Sequence, residues 1–109
     1  MKVIPKVLCE RMSGQKLAER IKNEIAIQTY VNHQNVVKLK YQFSDHFYYY
    51  FFLEYCPGKN VREYSVKNEF CRIKESDTIK ILKDVINGLI YLHNNDIVHY
   101  DLKLENYLM

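Results

Sequence analysis

An α+β fold follows from three features of the 109-residue chain. An alternating segment and an aromatic run flank a short polar turn, which is the pattern of an antiparallel hairpin. A segment of helical period precedes that pair, and a stronger one follows it. Only three glycines and two prolines occur, so no linker or low-complexity tract divides the chain. The length suits one small domain and is too short for two.

Lys2-Val3-Ile4-Pro5 reads as a short strand. A helix is expected from Gln15 to Val31, with Leu17, Ile21, Glu24 and Gln28 on one inward face. A carboxylate on such a face calls for a cationic partner or a proton. From Val36 to Phe43 the alternation puts Val37, Leu39, Tyr41 and Phe43 on one side and Lys38, Lys40 and Gln42 on the other. Ser44-Asp45-His46 is turn chemistry, and Phe47 to Leu53 is rich in strand-forming aromatics. Pro57-Gly58 breaks the chain, and a short helix is expected around Val61 to Val66. The strongest helix runs from Ser76 or Asp77, both good caps, to Asn94. Ile79, Leu82, Ile86, Leu89 and His93 make one apolar stripe; Ile81, Val85, Gly88 and Leu92 make a second beside it, which predicts burial over much of its circumference. Asn94-Asn95 suits a left-handed cap at its end.

Composition excludes several function classes. The 16 basic and 13 acidic residues give a net charge of +3 and alternate along the chain. A nucleic-acid partner calls for basic residues clustered on one face, so none is expected. The longest apolar run, Phe47 to Leu53, is far short of the roughly 18 residues a membrane span needs. No membrane association is expected, and no signal peptide is recognisable at the amino terminus. Cys9, Cys56 and Cys71 are odd in number and lack C-x-x-C spacing. Free thiols are expected, with an intracellular location in cytoplasm or nucleus.

The chemistry is concentrated in His99-Tyr100-Asp101-Leu102-Lys103-Leu104-Glu105-Asn106. This resembles the catalytic loop H-R-D-L-x-x-x-N of protein kinases at every defined position but the second. Phosphoryl transfer needs positioning more than covalent help, so few residues are required. Asp101 is placed to orient an attacking hydroxyl and accept its proton. The amide of Asn106 can hold a magnesium ion, and Lys103 can neutralise the moving phosphate. Asp-Leu-Lys at this point is the serine/threonine-kinase pattern.

Four further matches arrive in family order. Lys2 stands where the lysine of V-A-I-K belongs, Glu24 is its ion-pair counterpart, and Lys6 competes with Lys2 for the anchoring role. Glu19 competes with Glu24, but only Glu24 lies at the family's usual distance from His33, nine residues. Asn-His-Gln-Asn-Val-Val at 32–37 resembles the segment after this helix, and Phe-Leu-Glu-Tyr-Cys-Pro-Gly at 52–58 resembles a hinge. Tyr91-Leu92-His93 and Ile97-Val98-His99 repeat the lead into the catalytic loop. The chain looks closest to the polo-like kinases.

The resemblance implies part of a small lobe at 1–53, a hinge at 54–60 and the start of a large lobe at 61–109. It implies ATP and magnesium as cofactors, and a protein carrying serine or threonine as substrate. ATP contacts would come from Lys2 and Glu24, from Leu53 as gatekeeper, and from the backbone of Glu54 and Cys56. Asn60 would lie near the ribose and Leu108 under the adenine. A Gly-rich loop before Lys2 and a D-F-G segment after Met109 are absent from the 109 residues, so a truncated fragment without activity of its own is expected. Tyr100 replaces an arginine that commonly pairs with a phosphorylated activation loop, which a phenol cannot do. The alternative to an enzyme is a pseudokinase-like interaction module.

Overall fold

The computed structural model describes residues 1–7, 14–67 and 72–109, with backbone alone for 14–18. Cys9, Cys71 and the side chain of Leu17 therefore lie outside what is described. Two compact units divide the chain, Met1–Glu54 and Tyr55–Met109.

In the first unit, β1 (Lys2–Pro5), β2 (Leu39–Ser44) and β3 (Tyr48–Leu53) form an antiparallel sheet in the order β1-β3-β2. Helix α1 spans Gly14–Tyr30. Ile21 and Phe51 are buried to 3% and 4% exposure, with Ile4, Ile25, Leu39 and Tyr49 packed around them. This small cluster fixes α1 on one face of the sheet by burying apolar area.

The hairpin turn is built on Asp45. Its Oδ1 accepts from the backbone N–H of Phe47 and of Tyr48, both at 2.7 Å, and its Oδ2 accepts from the Tyr50 hydroxyl at 2.9 Å. Those donors favour the charged carboxylate and hold Asp45 below the ordinary carboxylate range, the Tyr48 N–H first.

The alternation expected for Val36 to Phe43 fails at one residue. Leu39 pairs with Leu53 but Tyr41 pairs with Phe52, so Lys40 is an extra residue in β2. A bulge of one residue sends everything beyond it to the other face. Leu39 therefore joins the core, while Tyr41 and Phe43 stand on the opposite face with Tyr48, Tyr50 and Phe52. There the Phe43 and Tyr50 rings stack at 4.5 Å.

In the second unit, α2 spans Val61–Lys67 and α3 spans Glu75–His93. Neither Ser76 nor Asp77 caps α3: the N-cap is Lys74, with no side-chain cap bond, and Asp77 instead accepts from the Tyr64 hydroxyl at 3.1 Å. That contact raises the Tyr64 phenol above its ordinary value. The left-handed residue after α3 is Asp96 (φ 58°) and not Asn94, which stays helical at φ −67°. Asn95 donates its side-chain amide to the Tyr91 carbonyl at 2.8 Å, and the reversal falls on the residue after it. Gly88 and Leu92 are buried, but Ile79, Leu82, Ile86 and Ile90 are exposed. The second expected stripe is buried at Gly88 and Leu92 and half-buried at Ile81 and Val85, whereas the first is open except at half-buried Leu89. The expectation of burial on both is corrected.

Candidate active site

Each unit assembles its own group of the candidate residues. In the first, Lys2 opens β1 opposite Phe51 of the central strand, and its Nζ lies 5.9 Å from that ring's centroid. The same Nζ donates to Glu24 Oε1 at 2.5 Å, joining residues 22 apart in sequence. Among the described strands β1 lies at the edge of the sheet, and both side chains of the pair are about half exposed (46% and 49%). Glu24 is thus not the buried carboxylate its stripe suggested: Ile21 takes the covered centre of the face, and Glu24 sits at its margin. Lys6 lies beyond the end of β1, over the Tyr49 ring at 4.9 Å and 3.5 Å from Ser44 Oγ. Of the two lysines, Lys2 is thus the one paired with Glu24.

Leu53 ends β3, paired with Leu39. Glu54 follows and is tied twice to Lys38: its N–H donates to the Lys38 carbonyl at 2.8 Å, and its Oε2 accepts from the Lys38 N–H at 3.4 Å.

In the second unit, Cys56 is a partly buried free thiol. Asn60 and Leu108 are brought together by an antiparallel bridge, flanked by Val61 N–H to the Tyr107 carbonyl and Met109 N–H to the Lys59 carbonyl, both at 2.9 Å. The Asn60 side chain caps α2: its Oδ1 accepts from the Glu63 N–H at 2.8 Å, and its Nδ2 donates to Glu63 Oε1 at 2.7 Å. This is a capping-box variant. The spacing Asn60-x-x-Glu63 carried that signal in the sequence.

The loop after α3 holds the chemically richest group. Asp101 Oδ2 accepts from Lys103 Nζ and from Asn106 Nδ2, both at 2.8 Å. Asn106 Nδ2 also donates to the Asp101 carbonyl at 2.8 Å, and a 3-10 turn over Leu104–Asn106 carries the amide back towards the aspartate. Lys103 first and Asn106 second hold the Asp101 carboxyl below the ordinary range, and the same contact raises the Lys103 ammonium. His99 Nδ1 accepts from the Asp101 N–H at 3.2 Å, which ties the ring to the backbone of the loop. Tyr100 adopts φ 62°, an uncommon conformation for a bulky residue.

This loop presents an ionised carboxylate with a fixed cation two residues on. With Asn106 Nδ2 committed to Asp101, its Oδ1 is the oxygen aimed elsewhere, a hard donor of the kind magnesium takes. No cluster of three His, Cys, Asp or Glu side chains that could hold a metal ion occurs among the described residues. Among the described residues, no helix is long and apolar enough to cross a membrane.

A family profile described as "Protein kinase domain" matches residues 1–109. The chain is 34% identical over 105 residues, 96% of its length, to a probable serine/threonine-protein kinase PLK of Dictyostelium discoideum, of which it covers 10%. It is 38% identical over 90 residues to calcium-dependent protein kinase 5 of Plasmodium berghei (strain Anka), covering 83% of the chain and 16% of that protein. Identity to the human CaM kinase-like vesicle-associated protein is 34% over 97 residues, 89% of the chain and 19% of the relative. The chain thus spans about a tenth to a fifth of the length of these three relatives.

Proposed function

The chain belongs to the protein kinase domain family, and from that premise we propose that it carries the phosphate anchor, hinge and catalytic loop of a serine/threonine kinase using ATP and magnesium. The observation that best supports this is the Lys2–Glu24 ion pair, which joins two residues that the kinase pattern requires and that sequence proximity does not bring together. In this reading Lys2 holds the α- and β-phosphates, and Glu24 fixes the ammonium's position. The backbone of Glu54 and Cys56 pairs with the adenine edge, with Leu53 as gatekeeper, Asn60 at the ribose and Leu108 under the ring.

Asp101 orients the serine or threonine hydroxyl of a protein substrate and accepts its proton. Lys103, held 2.8 Å from Asp101, is placed to offset phosphate charge as the proton moves. Asn106 Oδ1 would hold the magnesium, whose contribution when bound is to neutralise phosphate charge.

Because Asn106 is one oxygen donor, these 109 residues by themselves are expected to bind nucleotide weakly and turn over none. Tyr100 in place of arginine favours a second reading, a kinase-like module that engages a partner without chemistry. The two separate in an NMR titration of the isotope-labelled chain with Mg·ATP. The proposal expects shifts at Lys2, Glu54, Cys56 and Leu108 that saturate and are lost in Lys2→Met. Unmoved resonances at all four would sink it and leave the interaction module.

A further inference from the structure

Glu24 reaches Lys2 only if α1 has the right rotation, and the apolar contacts of Ile21 and Ile25 do not set rotation sharply, because apolar burial is non-directional. A directional contact lies one turn further on. Gln28, partly buried and four residues after Glu24, donates its Nε2 hydrogen bond to the Val37 carbonyl. Residues at that spacing share a helix face about 6 Å apart.

The acceptor is itself held on both sides. Val36 is bridged back to His33 through its N–H at 3.0 Å from the His33 carbonyl, and Lys38 is tied to Glu54 at 2.8 Å through backbone. Val37 is therefore a fixed point of the sheet side, and Gln28 fastens α1 to it. We propose that Gln28 is the positioning residue of the Lys2–Glu24 pair: its amide sets the rotation of α1 that aims Glu24 at Lys2.

Where the nucleotide is concerned this rests on the kinase reading; the effect on the pair itself does not. Replacing the amide by an apolar chain of similar length leaves the Val37 carbonyl without that donor and frees α1 to turn. A lysine at the same position can still donate.

The test compares wild type, Gln28→Met and Gln28→Lys in the full 109-residue chain by NMR. Cross-peaks between the Lys2 ε protons and the Glu24 γ protons should vanish in Gln28→Met and return in Gln28→Lys, while Ile21–Phe51 cross-peaks persist in both. The ATP dissociation constant should rise about tenfold in Gln28→Met, the size of one lost hydrogen bond, and should return towards the wild-type value in Gln28→Lys. If wild type binds no ATP, the kinase reading fails and the cross-peaks still decide the positioning role. Full Lys2–Glu24 cross-peaks in Gln28→Met would overturn it. Should that variant not fold, wild type decides through exchange of its side-chain amides. Gln28 protons slower than those of exposed Gln42 support the role, and equal rates overturn it.

Discussion

Lys2 and Glu24 are about half exposed, so their attraction is screened and contributes at most about 1 kcal/mol to stability. Lys2→Met is accordingly expected to leave the thermal midpoint nearly unchanged while removing ATP-dependent shifts, a separation that calorimetry and titration on one sample will check. Asp101 and Lys103 respond to pH from opposite ends. The aspartate is depressed in the folded state, so its contribution is present above the ordinary carboxylate value of about 3.9 and lost as pH falls through the lower folded value. The lysine is raised, so its contribution is present below its ordinary value of about 10.4 and lost as pH rises through the higher folded value. Between about pH 5 and 9 the pair is fully charged. NMR titration of the Asp101 carboxyl should show no inflection there, and one in that window would contradict the 2.8 Å contact.

At the scale of elements, Asn60 joins two roles, because the residue expected near a ribose is also the cap of α2. Asn60→Ala should cost about 1 kcal/mol through the lost cap, and Asn60→Asp should recover most of it, as read by urea unfolding. Phe51→Ala removes the ring at the centre of the first unit's core and should cost about 3 to 5 kcal/mol. Most elements were legible in the sequence because they rest on periodicity, which the chain carries strongly from Ile21 to Leu53 and from Ile79 to Leu92. What escaped depends on single residues with no periodic signature. Lys40 as a bulge reverses the faces of Tyr41 and Phe43, yet within the sequence it reads as one more alternating polar residue. The reversal after α3 falls on Asp96, while the neighbouring Asn95 bonds to Tyr91, a choice between neighbours that composition cannot rank. Motif spacing identified Asp101, Lys103 and Asn106 as a group. Gln28 was visible on the right face, but its acceptor is a backbone carbonyl, and a carbonyl leaves no mark in a sequence.

For the whole molecule, the uncovered surfaces matter most. Tyr41, Phe43, Tyr48 and Phe52 are exposed in one unit, and Ile79, Leu82, Ile86 and Ile90 in the other. Contiguous apolar surface of this kind favours association. Light scattering of the 109-residue chain should show mass rising with concentration, and Leu82→Lys with Ile86→Glu should reduce it; a concentration-independent mass in wild type would refute this. The same aromatic face has an optical consequence. The chain has no tryptophan, so its near-ultraviolet circular dichroism comes chiefly from ten tyrosines and five phenylalanines. The ring pairs Phe43–Tyr50, Tyr41–Phe52 and Tyr48–Tyr50 all lie in Met1–Glu54, whereas Tyr55 and Tyr100 are 84% and 91% exposed to water. The ring–ring pairs named are thus in the sheet, while the half-buried Tyr64, Tyr91 and Tyr107 add to the signal of the other unit, whose helical content is carried mainly by α3. Ellipticity near 280 nm then weights the first unit through its ring pairs, and far-ultraviolet ellipticity weights the second. Noncoincident curves would mean that the two halves of this chain unfold as separate cooperative systems.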